Sequence, residues 1–172
     1  MKRIHHIVLG MLLLGAVAST TSCKKEFDEV NVNPNEPADV PVNIILPSAQ
    51  ASLAYTLGGD IARYNAVLDQ NVTGAYRQFF GYNIYSFTEE DFNNLWNNMY
   101  SDNMADLNRI IEKANAADGS YNSYRGVARI MMAYSLSTMT DLFGDVPYRE
   151  AFKGNGNLTP AYDSQQDLYT TI

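Results

Sequence analysis

Histidine and cysteine are almost missing from this chain. Of 172 residues, two are His and one is Cys. His5, His6 and Cys23 all fall within the first 23 positions. With that stretch removed or modified, the remainder has no imidazole and no free thiol. Ser-His-Asp and Cys-His catalysis are then excluded, because each needs an imidazole. A zinc site, usually built from His and Cys, lacks its ordinary ligands. One cysteine cannot form a disulfide framework. Basic residues are also scarce, 12 Lys+Arg against 19 Asp+Glu, for a net charge of −7. Nucleic-acid binding rests on clustered Lys and Arg, so this balance argues against such a partner. The acids are scattered, and no carboxylate pair stands out for glycoside cleavage. The reading therefore assigns no catalytic residue, no metal and no cofactor. What is present is ordinary for one globular domain: 46% hydrophobic and 18% charged residues.

The N-terminus reads as an address. Lys2 and Arg3 precede a 12-residue apolar run over residues 7–18. That is too short for the hydrocarbon layer, which needs about 20 residues, and it matches the core of a secretory signal. Ser19-Thr20-Thr21-Ser22 follows, and then Cys23. A small residue before a lone Cys at this point resembles the bacterial lipoprotein signal, in its looser Bacteroidota form with Thr20 where Leu is usual. The resemblance implies cleavage after residue 22 and acylation of Cys23, which makes it a lipid anchor with its sulfur in a thioether. An ordinary signal peptide with a chance cysteine, or a buried apolar helix, is the plainer alternative. Cleavage would remove two basic residues and no acid, leaving 150 residues with a net charge of −9. The charged stub over residues 24–29 resembles a surface-export signal, and reads equally well as a solvated linker. Pro34, Pro37 and Pro41 make the following stretch an extended tether. The expected organisation is signal over 1–22, lipidated Cys and tether over 23–42, and a helical domain over 43–172.

From Asn43 onward the pattern is helical. Asn43 is expected to cap a helix over 44–57, with Pro47 in its first turn and Gly58-Gly59 as its stop. Asp60 is expected to cap a second helix over 61–73. The stretch over 74–87, GAYRQFFGYNIYSF, breaks the period and reads as an irregular segment. Thr88 and Asp91 form a capping-box pair ahead of a long amphipathic helix that ends near Gly119. Trp96 falls on its apolar face and is expected in the core. Another helix runs from residue 120 or 122 to Phe143, stopped by Gly144 and Pro147. Arg125 and Arg129, four apart on it, are expected to pair with acids. Asp163-Ser164 caps a last helix that has only begun when the sequence stops. That abrupt stop suggests the N-terminal piece of a longer protein. The fold class is all-α, with antiparallel helix pairs like those of helical repeats.

The segment YRGVARIMMAY (124–134), followed by TDLFGDVPYREA (140–151), resembles the SusD/RagB family of outer-membrane nutrient-binding lipoproteins. Tyr162-Asp163, Asn33-Pro34-Asn35, Leu46-Pro47-Ser48-Ala49 and NLWNNMY (94–100) fit the same family. The resemblance covers nearly the whole chain, and the DLFGDVP run is its specific part. It implies a SusD-like, tetratricopeptide-like α-helical fold. It also implies a non-catalytic protein at the cell outer membrane. Such a protein sits with a SusC-like TonB-dependent transporter and captures oligosaccharides, or sometimes peptides, for import. The DLFGDVP run itself reads as structural. Gly144 permits a left-handed turn, Pro147 prevents the helix from resuming, and Asp141 and Asp145 are expected to brace that turn.

Sugar binding sets aromatic faces against pyranose rings, with polar groups to the hydroxyls. The loop-placed candidates are Phe79, Phe80, Tyr82 and Tyr85, with Asn83 and Arg77 as hydrogen-bonding partners. Packing of the same rings between helices is the plainer reading. Asn71-Val72-Thr73 and Asn157-Leu158-Thr159 match the glycosylation sequon and read as coincidence. Two other functions remain open: a surface hydrolase whose site lies outside this segment, and a helical scaffold that binds protein alone. The anchor can be tested directly. Cys23→Ala is expected to abolish metabolic acyl labelling and release the protein from membranes, and persistent labelling would refute the assignment.

Overall fold

Side chains that share one face of an α-helix recur every three or four residues. Two five-residue steps interrupt that rhythm here, and each coincides with a π-helical turn. The computed structural model describes residues 39–172. The signal, Cys23 and the tether as far as residue 38 lie outside the described residues. The compact unit runs from Pro41 to Ile172.

Helix α1, Val42–Thr56, starts ahead of the expected cap. Pro41 is its N-cap, with φ −66° and ψ 148°, and no side chain caps it. Pro41 O accepts from Ile44 N and Ile45 N at 2.9 and 3.2 Å. Asn43 lies inside the helix, and so does Pro47, beyond the first turn. Both are exposed, so the carbonyl that loses its donor to Pro47 can be hydrated.

Gly58-Gly59 does not end this helix. A π-helical turn, Leu57–Ile61, carries the chain straight into α2, Ala62–Leu68. The buried positions explain why: Leu53, Thr56, Ile61, Tyr64 and Val67. Between Thr56 and Ile61 the step is five, and the extra residue of the π turn returns Ile61 to the core. Glycine in a helix costs about 1 kcal/mol, less than burying Ile61, Tyr64 and Val67 returns. Asp60 pairs with Arg63 instead of capping. The helix ends at Leu68, short of Thr73, where Gln70 takes φ 58° and Asn71 N turns back to Ala66 O at 2.9 Å.

The aromatic stretch is more ordered than its sequence suggests. A short helix, α3, Gln78–Asn83, forms within it. Tyr82, Tyr64 and Val67 make a buried cluster, flanked by Leu68, Phe79, Phe87 and Phe92. The Tyr82 ring stacks on Phe87 at 4.8 Å and meets Tyr64 edge-on at 5.3 Å. Gly74 is buried against the Phe79 carbonyl, where any Cβ would overlap. Asp91 ties this cluster to the next helix. Its carboxylate accepts from Thr88 N (2.7 Å), Thr88 Oγ1 (2.9 Å) and Tyr82 OH (2.8 Å), and its carbonyl accepts from Tyr64 OH (2.6 Å). The expected capping box is therefore present.

The long helix follows in pieces: a 3-10 turn Glu89–Phe92, α4 Asn93–Asn97, a π-helical turn Asn98–Met104 and α5 Ala105–Ala116. Leu95, Met99, Met104, Leu107, Ile110 and Ala114 are its buried stripe, and the step from Met99 to Met104 is again five. Asn103, four residues after Met99, shares that buried face, and the extra residue keeps Met104 on it too. There Asn103 Nδ2 donates to Ala49 O of α1 at 2.9 Å, and Oδ1 accepts from Ser135 Oγ at 2.6 Å. Ser135 belongs to α6, Asn122–Phe143, which packs on α5 as a helical hairpin. Ala128, Met132, Leu136 and Met139 fill its inner face. Gly144 closes α6 with φ 77°. Helix α7, Gln165–Thr171, has Ser164 as its N-cap and buries Leu168. The described fold is all-α.

Asn103 joins three helices, and removing it strands two polar partners without water. Each stranded group costs about 1–3 kcal/mol. Asn103→Ala is expected to lower the unfolding free energy by about 2–4 kcal/mol in urea titrations. A loss no larger than that of Ser135→Ala would show that the Ala49 contact contributes nothing.

Candidate functional site

The signature run over 141–148 turns out to brace distant segments. Val146 and Asp163 form an antiparallel β-bridge, with paired N–H···O bonds of 3.2 and 3.1 Å. The Asp163 carboxylate accepts from Tyr148 N and Arg149 N, both at 2.9 Å. Arg149 adds an ion pair to Asp163 at 3.4 Å. Asp145 accepts from Gln165 N at 2.9 Å, and Asp141 from Tyr169 OH at 2.5 Å. Asp141 and Asp145 thus reach α7 and do not stiffen their own turn, as the sequence led us to expect. That turn is held by Thr140 Oγ1 donating to Gly144 O at 2.6 Å. Asp163 supplies the bracing because it sits opposite two free backbone donors.

This clasp holds the chain after Pro147 against the long helix, and a cleft of about 780 Å³ opens between them. One wall is helical, with Trp96, Tyr100, Asp106 and Arg109. The other is the loop carrying Pro147, Phe152 and Asn157. Trp96 and Tyr100, four apart, share one helical face, with ring centroids 4.8 Å apart and planes at 31°. Phe152 continues the row, 6.1 Å from Tyr100 with planes at 27°. Tyr100 OH donates to Pro147 O at 2.7 Å, which joins the two walls. Burial, reinforced by the neighbouring Tyr162 and Asp163, pushes the Tyr100 hydroxyl well above the ordinary phenol range. It therefore stays a donor at every physiological pH. Burial also raises the Asp106 carboxyl, against the opposing pull of Ser48 and Arg109.

The cluster expected from the sequence is divided. Tyr82 is buried, its ring faces occupied and its hydroxyl spent on Asp91. Phe79 and Asn83 are half-buried. Phe80 and Tyr85 are exposed, and Arg77 lies over the Tyr76 ring at 5.5 Å. None of the six lines the cleft. Trp96, expected in the core, is only half-buried and lines the cleft instead. Leu95 and Met99 complete the buried stripe without it. Arg125 bonds Asn122 Oδ1 at 2.8 Å and Asn115 Oδ1 at 3.3 Å, amides and not acids. Arg129 lines a smaller cleft of about 390 Å³ with Met132 and Tyr148.

Residues 34–172 match the model of a family described as SusD-like, starch-binding and associating with the outer membrane. The chain belongs to that family. No curated protein shows significant similarity to it. The SusD-like family consists of binding proteins rather than enzymes, associated with the outer membrane and with carbohydrate or nutrient binding. The cleft of this SusD-like chain is lined by three aromatic rings and several amides.

Sequence reasoning missed Trp96, Tyr100 and Phe152 as a group. The signal was available for the first two. They lie one position past Leu95 and Met99, about 100° round the helix from the buried stripe. Asn93, Asn94, Asn97 and Asn98 surround Trp96 with amides. Phe152 comes from a loop, and only the clasp brings it near. Asp163→Ala, which strands Tyr148 N and Arg149 N, is expected to cost about 2–4 kcal/mol of stability in urea titrations. Asp163→Asn keeps one acceptor and should cost less. Equal losses would point to the ion pair as the main term, against the weak contribution expected of so exposed an arginine.

Proposed function

We propose that this protein is a lipid-anchored lipoprotein of the outer membrane, facing the cell exterior. It captures oligosaccharides in the cleft along Trp96, Tyr100 and Phe152 and passes them to a partner TonB-dependent transporter. The observation that carries the ligand reading is the row of three rings beside Asn97, Asn108 and Asn157. Apolar sugar faces stack on aromatic rings, and amides serve hydroxyls as both donor and acceptor. The cleft volume lies in the range of about 300–1,000 Å³ usual for small-ligand sites. Its charges are balanced, with Asp106 and Glu112 against Arg109 and Lys153. That balance favours a neutral glycan over the charged ends of a peptide. The family match supports the outer-membrane setting. The transporter partner and the anchor at Cys23 rest on the sequence resemblance.

Phe80 and Tyr85, exposed on the far side of the aromatic cluster, remain proposed as secondary ligand contacts, with Arg77 and Asn83 beside them. Trp96 is the sole tryptophan, so its emission reports directly on the cleft. Titration with malto-oligosaccharides is expected to shift or quench that emission, and a peptide mixture should leave it unchanged. By calorimetry, Trp96→Ala should weaken binding about tenfold or more, as expected for loss of a central aromatic anchor. A Phe80→Ala/Tyr85→Ala double variant should weaken it less. The opposite ranking would move the main site to the 74–87 segment.

A further inference from the structure

Phe152 takes φ 63°, in the left-handed region. For a bulky side chain that backbone is strained, and such strain tends to persist where function requires it. Among the described residues, Gln70, Arg77 and Tyr85 share this feature. Gln70 follows the end of α2, where a left-handed residue is common. Arg77 and Tyr85 flank α3, and the Tyr85 hydroxyl donates to Leu68 O at 3.2 Å. Only Phe152 of the four lines the cleft.

Packing does not explain why phenylalanine stands there. The ring is half-buried, outside the buried core, and its one aromatic neighbour among the described residues is Tyr100. The same loop uses glycine at residue 154, also left-handed at φ 52°. Glycine at residue 152 would adopt the conformation without strain. The side chain that stands there instead continues the line of Trp96 and Tyr100 toward the loop side of the cleft.

We infer that Phe152 is a ligand-stacking residue, held in the cleft by a strained backbone, whose ring sets how far along the row a bound oligosaccharide is gripped. This rests on the glycan-binding reading of the cleft. Trp96 and Tyr100 hold the sugar units on the helix side. Phe152 adds the next contact, so it discriminates by chain length and a ligand too short to reach it gains nothing from it.

The test compares Phe152→Gly and Phe152→Ala with the unaltered protein and with Trp96→Ala, using a ladder of malto-oligosaccharides. Both Phe152 variants should lose about three- to tenfold in affinity for long oligomers, the scale of one aromatic contact. Affinity for the shortest oligomer that binds should stay unchanged. Phe152→Gly should melt about 2–6 °C above Phe152→Ala, because glycine relieves the strain and alanine retains it. Long-chain affinity that is unaltered in both variants, while Trp96→Ala loses binding, would overturn the inference and leave the cleft reading standing. Equal loss at every length would also overturn it, since Phe152 would then act only by shaping the cleft. If the unaltered protein binds no oligomer, both readings fall.

Discussion

Three helices of this fold meet at a single amide. Asn103 bonds the α1 backbone through Ala49 O and the α6 side chain of Ser135, and it does so in full burial. A buried amide that is not satisfied is costly, so only one relative placement of these helices is cheap. The surrounding contacts, Met99, Met104, Leu107 and Met139 among them, are flexible or apolar and tolerate sliding. Apolar packing supplies most of the attraction. The amide supplies register, because it is right in only one arrangement.

That amide lies four residues after Met99 on the buried face, and the π turn Asn98–Met104 keeps Met104 there beside it. In a regular helix Asn103 would share its face with Met99 and Tyr100, and Met104 would turn away from the stripe. The π turn admits both Asn103 and Met104 to the interior. Trp96 and Tyr100, one position past Leu95 and Met99, lie on the outer side of this helix, where the cleft is. The core register at Met104 and the cleft wall at Tyr100 thus share one local distortion. π turns recur at functional sites, and here the connection is geometric.

Much of this was readable in advance. The Thr88/Asp91 capping box, the α6 stop at Gly144 and the Ser164 cap follow from local chemistry, which acts within a few residues. The all-α architecture followed from periodicity. Gly58-Gly59 looked like a stop because propensity was weighed without the burial of Ile61, Tyr64 and Val67 beyond it. Asn103 drew no attention because only apolar positions were followed along this helix, although it lies four residues after Met99. In both places the five-residue step between buried residues was visible, Thr56 to Ile61 and Met99 to Met104. The aromatic segment 74–87 drew attention by density, yet Tyr82 is consumed by packing. Phe152 could not be placed from sequence, since its position depends on Asp163, eleven residues on.

The two walls of the cleft are held by different physics. The helical wall is fixed by burial, with Leu95, Met99 and Met104 behind it. The loop wall is buried at Val146 and Pro147, and beyond them it is fixed by hydrogen bonds from Tyr148 N and Arg149 N to Asp163, and from Tyr100 to Pro147 O. The Tyr100 hydroxyl is kept neutral by burial, so this link does not switch with physiological pH. The Asp163 side chain is only 12% exposed, so added salt screens its backbone bonds little. The strain at Phe152 acts on a loop held by Asp163 and by the Tyr100–Pro147 link, outside the buried core. The wall can then be altered at Phe152 without disturbing Asn103.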